Sequence, residues 1–439
     1  MTRTTTTSAG PTAPLAPPAI DRETSPMKTF GLTAALALAA SPLAAQTEIR
    51  VHYAIPTIWA ETQAALEAAF EARHPEIDIV IDGPAESYAE GVQRLLRESV
   101  AGTAPDVAYV GLNRWRILED RGLTQPLDGF LDDWAAAGYT PALRSLGRFE
   151  GTQHALATSA STLVMYVNPD LVAEAGGSME DFPTTFDGVI ELAAKIDALG
   201  PSIDGVWIDR HDWRFQSLLG SHGGRPMTAD ESDVTFDSAA GMAAARLYRR
   251  FADEAGMKSY GDNEARQAFP AGTLGIMFES SSLQKRFEQG AGDNFDVTVK
   301  PLPIVADPSE VYFPTGGSAI VLMTEDAETQ AAAWEYIAFV TGPEGQKIIV
   351  ENTGYAPTNA IVLEDEQYLG AYYAADENAR VAHAQVAAHA GPWYAYPGSE
   401  GVAVTDLIAA SLVEVTEGAP VEETIAALAE TVRGRLGMN

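Results

Sequence analysis

The sequence predicts an α/β protein folded as two lobes, each an open sheet flanked by helices. Three observations carry this. Residues 48–110 read strand, helix, strand, helix, strand. The alternation resumes after Tyr166, punctuated by Gly and Pro. The chain has 439 residues, more than one ordinary domain core uses.

Glu48 to Ala54 is the first strand. Trp59, Thr62, Leu66, Ala69 and Phe70 form a helical stripe that stops at His74 and Pro75. Ile77, Ile79 and Ile81 alternate with Asp78, Val80 and Asp82 as a strand. A second helix carries Val92, Leu95 and Leu96. The turn 101–106 leads into the strand Val107 to Val110. Such an order implies a sheet covered on both faces, with ligands at the loops beyond the strand carboxyl ends. Those loops are 55–57, 86–88 and 111–113.

Leu163 to Val167 is a buried strand stopped by Asn168 and Pro169, and a short helix follows, ending at Gly176 and Gly177. Thr184 with Asp187 makes a capping-box-like start for a helix that puts Phe186, Val189, Ile190 and Ala193 on one face. Strands are expected at 205–209, 272–278, 297–301 and 318–323, and helices at 242–255, 329–340, 346–351, 405–416 and 421–436. Residues 209–214 read as a polar loop carrying Trp213. Residues 279–282 read as a polar turn containing Ser280 and Ser281.

Composition narrows the function. Basic residues number 28 against 61 acidic, a net charge of −33. No Lys/Arg cluster exists, so no nucleic-acid partner is expected. The acidity reads as a solvated surface suited to a saline habitat. There is no cysteine, so disulfides, thiolate metal sites, cysteine catalysis and a lipoprotein anchor are excluded. The N-terminus reads as a targeting segment. Lys28 supplies the positive start, 30–40 an apolar run too short to span a membrane, and 41–45 small residues for cleavage before Gln46. Residues 27–45 are therefore expected to be a signal peptide. Residues 1–26, rich in Thr and Pro, are an unusual extension upstream of a signal, which makes Met27 the expected start. Without residues 1–45 the chain keeps its acidity and no stretch apolar enough to cross a bilayer.

Several segments resemble the family 1 extracellular solute-binding proteins, the receptors of ABC sugar importers. They are MYVNPDLVAEAG at 165–176, FPTTFDGVIELAAKI at 182–196, AGTAPDVAYV at 101–110, EDRGLTQPLDGFL at 119–131, TGGSAIVLM at 315–323 and GPEGQKIIVENTGYAPT at 342–358. The resemblance spans nearly the whole chain beyond the signal. It implies a type II-like periplasmic-binding-protein fold with a ligand cleft between the lobes. One lobe would comprise 46–160 and 316–357, the other 161–315 and 358–439. It implies a periplasmic protein, a small-molecule ligand and ABC importer membrane subunits as partners. A monomer is expected, with no cofactor and no bound metal.

Carried onto matching positions, the resemblance gives candidate ligand contacts. Tyr88 follows the second strand, and Asn113 and Arg114 follow the third. Ser161 and Thr162 sit at the first crossing between lobes. Trp213 would belong to an aromatic wall, and Ser280 and Ser281 follow a second-lobe strand. Gly316 and Gly317 would offer backbone N–H groups at the second crossing. Tyr355 sits in the Gly-Tyr-x-Pro turn, and Trp393 and Glu400 lie on a late loop. Such a set suits sugars and polyols, whose hydroxyls need fixed donors and acceptors and whose C–H faces pack on aromatic rings. Each residue also has a plainer role open to it, since serines satisfy turns and aromatics fill cores. The late loop carries Glu400 where the family's glycerol-3-phosphate receptors carry an Arg, which disfavours phosphomonoesters.

Three other functional classes can be set beside a receptor. An enzyme lacks a Gly-x-Ser-x-Gly elbow, a P-loop or a Gly-x-Gly-x-x-Gly, and no local pattern marks a carboxylate pair for glycoside hydrolysis. A metal receptor lacks a His-rich loop, and His383 and His389 share no helical face. A chemoreceptor relay would use the same fold, and nothing in the residues separates it. The expected function is carbohydrate or polyol binding, with a glycerophosphodiester or glycerol-3-phosphate as the alternative ligand. A secreted carbohydrate-active enzyme stands behind both.

Overall fold

The computed structural model describes residues 46–397 and 401–438. The extension 1–26, the signal segment 27–45 and Glu400 lie outside the described residues. In chain order the strands are β1 Thr47–His52, β2 Ile77–Ile81, β3 Val107–Gly111, β4 Arg148–Phe149, β5 Thr152–Gln153, β6 Ala155–Ala157, β7 Leu163–Val167, β8 Asp204–Ile208, β9 Leu274–Ser280, β10 Thr298–Lys300, β11 Phe313–Thr315, β12 Ser318–Leu322 and β13 Ala390–Pro392.

Two large sheets result, one per lobe, beside the two-stranded pairs β4-β5 and β11-β13. The first has the order β2-β1-β3-β12-β6, with β1 parallel to β2 and β3 and with β12 antiparallel to both neighbours. The second has the order β10-β7-β9-β8, in which only β8 and β9 run parallel. Strand periodicity explains the first sheet. Ile77 and Ile79 on β2 are buried, while the intervening Asp78 stays half-exposed. β3, in the middle, is buried along its whole length.

Helices cover both faces of the first sheet. Trp59, Leu66 and Phe70 of helix Pro56–Glu71 pack on one face with Ile49, Val51 and Ile337. Val92 and Leu95 of helix Tyr88–Ala101 pack on the other with Val110 and Trp115. Fully burying each such side chain stabilises by roughly 1.5–3 kcal/mol. Ser87 caps the second helix by accepting from the Glu90 N–H at 3.2 Å, and Gly102 at φ 68° ends it. A single large core holds the second lobe, centred on β7, β8 and β9 and on Phe215, Tyr248 and Phe251.

Local boundaries differ from the sequence reading in three places. Helix Phe186–Asp197 is capped by Thr185, one residue later than the expected Thr184, with its hydroxyl accepting from the Gly188 N–H at 3.2 Å. Residues 212–214 are not loop, because Asp212–Ser221 is a helix capped by His211 and Trp213 lies in its first turn. Residues 343–353 form one helix, Pro343–Thr353, with Pro343 in the opening turn where its missing N–H does no harm.

The chain passes between the sheets at 158–162, from β6 to β7, at 316–317, from β11 to β12, and again after helix Pro343–Thr353. These crossings lie side by side. Ser161 and Gly316 exchange two backbone hydrogen bonds of 2.9 Å. Ala160 and Ala356 exchange two more, of 3.1 and 2.8 Å. The last crossing has no sharp edge, since Val362, Leu369 and Tyr373 beyond it pack with Val350 of the first lobe's last helix.

Candidate functional site

The crossings form the floor of the site, and much of their polar chemistry is engaged within it. Thr158, Ser159 and Ser318 share hydroxyl contacts of 2.7 and 3.1 Å. Gly317 holds φ 119°, and a Cβ there would stand 2.2 Å from the Ser159 carbonyl oxygen. Only glycine fits both constraints. The expectation that Gly316 offers its N–H to a ligand needs correction, because that N–H is donated to the Ser161 carbonyl. An antiparallel bridge between crossings requires it there.

Thr162 and Ser281 are buried and serve the same framework. The Thr162 N–H donates to the Ser281 hydroxyl at 3.1 Å, and the Ser281 N–H donates to the Thr162 carbonyl at 2.9 Å. The Gln385 amide donates to the Thr162 hydroxyl at 2.6 Å. The neighbouring Ser161 differs. A Cβ placed on Gly316 would stand 2.7 Å from the Ser161 Oγ and 3.4 Å from the Trp213 ring, so these two side chains converge over the bare glycine.

Trp213 and Trp393 meet with ring centres 6.2 Å apart. Trp213 is buried and donates its indole N–H to the Pro314 carbonyl at 2.9 Å. Trp393 is half-buried and donates to the Asp212 carboxylate at 3.1 Å. Gln216, one helical turn on, donates to Asp212 at 2.9 Å and also pairs in both directions with the Tyr394 backbone at 3.1 Å. The helix thereby clamps the late segment in place. Burial pushes the Asp212 carboxyl up to about 6, against the two hydrogen bonds it receives.

The first lobe contributes a second aromatic group. Tyr88, the first residue of helix Tyr88–Ala101, and Asn113, in the loop after β3, converge over Gly111, each 3.1 Å from where its Cβ would be. The Trp59 indole N–H donates to the Tyr88 hydroxyl at 3.2 Å, and Trp59 stacks on Tyr355 at 6.0 Å. Arg114 is half-buried, and no carboxylate pairs with it among the described residues; burial lowers its pKa.

Tyr355 and Ser280 line one cavity of about 650 Å³. The first lobe supplies Ile58, the last crossing Thr353, and the second lobe Ser282 with three cations, Arg266, Lys285 and Arg286. Sequence reading missed these cations. They come from two helices with no local motif, and only the fold gathers them. Lys285 donates to the Val350 and Glu351 carbonyls at 3.1 and 2.8 Å, and burial lowers its pKa.

Beneath Ser280 lies a buried charge network. Glu279 receives Arg214 at 2.7 Å and Arg266 at 2.9 Å. Burial pushes the Glu279 carboxyl up, but the two guanidiniums outweigh it and hold it below its ordinary value. Asp262, which pairs with both arginines, is pushed up to about 7 by burial and then by Glu279. Among the described residues no three His, Asp or Glu side chains come together as a metal site. None of the described helices is long and apolar enough to cross a membrane.

Two lobes joined by paired crossings, with aromatic and polar side chains facing across the junction, define a two-lobe solute receptor. The sequence profile of the bacterial extracellular solute-binding proteins matches residues 58–347, and the chain belongs to that family. A binding protein of Brucella abortus is 25% identical over 313 residues, covering 69% of this chain and 74% of that one. The sn-glycerol-3-phosphate-binding periplasmic protein UgpB of Agrobacterium fabrum is 25% identical over 328 residues, covering 71% and 68%. Among solved structures, UgpB from Mycobacterium tuberculosis in complex with glycerophosphocholine aligns with a TM-score of 0.76 at 22% identity, over 89% of this chain and 98% of that one. The sugar-binding protein MalE from Xanthomonas citri aligns with a TM-score of 0.77 at 18% identity, over 89% and 98%. At such identities the structural likeness speaks for the fold.

Proposed function

We propose that this protein is the periplasmic receptor of an ABC importer. It binds a carbohydrate or polyol between its lobes and delivers it to the membrane subunits. One lobe is 46–160 with 316–357 and the other 161–315 with 358–439. The supporting observation is the 650 Å³ cavity whose walls come from both lobes and from the crossing that joins them. A ligand touching both walls favours the closed form by its contacts from the second side. Aromatic rings at Tyr88, Tyr355, Trp213 and Trp393 suit C–H faces, and Asn113, Arg114, Ser161 and Ser280 suit hydroxyls. The family's members are binding proteins, and the site has the composition of a binding pocket, so no turnover is proposed.

The cations favour a second reading, in which the ligand is a glycerophosphodiester or glycerol-3-phosphate. Arg266, Lys285 and Arg286 line the same cavity with one carboxylate, Glu351; Arg266 is held by Glu279 and Asp262, and the surplus of positive charge is what would attract a phosphate. UgpB proteins among the relatives point the same way. Calorimetric titration with neutral sugars and with glycerophosphocholine, paired with small-angle scattering, separates the two. Binding with contraction of the particle is expected for one class. Binding without contraction would remove the hinge mechanism.

A further inference from the structure

Arg266 takes part in two arrangements at once. It lines the cavity between the lobes with Ser280, Lys285 and Arg286, and it closes a ring of charges beneath that cavity. The ring consists of the guanidiniums of Arg214 and Arg266 and the carboxylates of Glu279 and Asp262, and each carboxylate touches both guanidiniums. Helix Asp212–Ser221, helix Asp262–Ala268 and strand β9 supply it.

The two carboxylates are held unequally. Glu279 is buried. It accepts from Arg214 at 2.7 Å, from two nitrogens of Arg266 at 3.0 and 2.9 Å, and from the Ser280 N–H at 2.6 Å. Asp262 is half-buried and receives one nitrogen from each arginine, at 3.4 and 2.8 Å. Neighbouring carboxylates away from water resist ionising together, and the less firmly held one keeps the proton. Burial and the Glu279 charge act in this sense on Asp262, while the arginines keep Glu279 ionised. A protonated Asp262 donates to Glu279 and gives up its claim on Arg266, whose Nη1 is the nitrogen it had engaged.

Other charged and titratable groups surround the ring. Asp209 pairs with Arg214 at 3.5 Å. His211 and Tyr248 face Arg214, Tyr166 faces Arg266 and Glu279, and Asp406 faces His211. Burial lowers the pKa of His211 and raises those of both tyrosines, so these three keep one charge state around neutral pH. Glu351 stands on the cavity wall with the cations.

We propose that Asp262 is a specificity-determining residue that acts through Arg266. With its proton on, it adds one positive charge to the ring and frees Arg266 to face the cavity, which then holds an anionic ligand. With its proton off, it keeps Arg266 engaged and the anion is held less firmly. An anion beside Arg266 in turn makes Asp262 harder to ionise. Binding therefore takes up a proton, and affinity rises as pH falls; the two effects measure one coupling. The proposal rests on the second reading above, in which the ligand carries a phosphate.

The test is calorimetric titration of the purified protein with glycerophosphocholine and with sulfate, two anions whose own charge is constant between pH 6 and pH 8. Titrations at pH 7 in two buffers of different ionisation enthalpy count the protons taken up. Whichever anion binds is expected to do so about fivefold or more tightly at pH 6 than at pH 8, with net proton uptake at pH 7. Asp262→Asn, which places a neutral side chain there at every pH, is expected to bind equally at both pH values and to take up no proton. Equal affinity at the two pH values in the parent, without proton uptake, overturns the proposal and leaves the phosphate reading standing. Proton uptake that persists unchanged in Asp262→Asn belongs to another group and overturns it as well. Failure of both anions to bind at either pH overturns the proposal together with the phosphate reading and leaves the carbohydrate reading in place. The proton count on the parent needs no variant, so it decides the matter even where Asp262→Asn folds poorly.

Discussion

Asp212 accepts the indole N–H of Trp393 at 3.1 Å from within the core of the second lobe, where its carboxylate is almost wholly shielded from water. An acid held there has its native pKa pushed up to about 6, above the unfolded value of about 3.9. The native state therefore holds this proton more tightly than the unfolded chain. Its stabilising contribution is full below pH 4 and is lost as pH rises through 6. Asp212→Asn is expected to gain about 2–3 kcal/mol relative to the parent between pH 4 and pH 7.5, read as the difference in urea midpoints. A difference independent of pH would show that Asp212 is not buried in this way.

His52 works in the opposite direction. It is fully buried on β1, both ring nitrogens lack partners among the described residues, and burial followed by Arg94 lowers its pKa to about 4. The unfolded chain binds this proton near pH 6.5, so stability is lost as pH falls from 6.5 towards 4. His52→Leu is expected to suppress about 2 kcal/mol of that acid loss, measured as urea denaturation at pH 7 and pH 4.5. Equal acid sensitivity in parent and variant would contradict the assignment.

Gly317 carries the geometric demand of the second crossing. With φ at 119° and the Ser159 carbonyl 2.2 Å from any added Cβ, Gly317→Ala must shift the backbone. A loss of about 2–4 kcal/mol is expected in chemical denaturation. Gly83→Ala, with nothing within 4 Å of its Cβ position, is the matched control and is expected to be near neutral.

Ser281 separates framework from ligand contact. Ser281→Ala leaves the buried Thr162 N–H without its acceptor at 3.1 Å. A cost of about 1–3 kcal/mol in stability is expected, with ligand affinity changed less than threefold. Strong loss of affinity at unchanged stability would return Ser281 to the ligand's contacts.

What was legible in the sequence followed local periodicity. Ile77, Ile79 and Ile81 announce a strand because side chains alternate faces, and Leu163 to Val167 reads as buried because every residue there is apolar. Tyr88 and Asn113 could be placed beyond strand ends, and the structure brings both over Gly111, Tyr88 as the first residue of a helix. Trp213 was read as a loop residue because Asp209, Arg210, His211 and Asp212 form a polar run. The fold makes His211 a helix cap and buries Asp212. The role of Gly316 depended on which strand would pair with it, a relation of 155 residues in sequence separation (316 − 161) that no local pattern carries. The same holds for Arg266, Lys285 and Arg286. Their significance arises only when separate elements meet.

The central claim, capture of a small polyhydroxy ligand, is tested most directly by a thermal-shift screen of the purified protein. The panel comprises mono- and disaccharides, polyols, glycerol-3-phosphate, glycerophosphocholine, amino acids and divalent metals. A ligand at about 100 times its dissociation constant adds roughly 2.7 kcal/mol of stability. A raised melting temperature is expected only with carbohydrates or polyols, or with the glycerophosphodiesters under the second reading. A shift produced only by amino acids or by metals would contradict it.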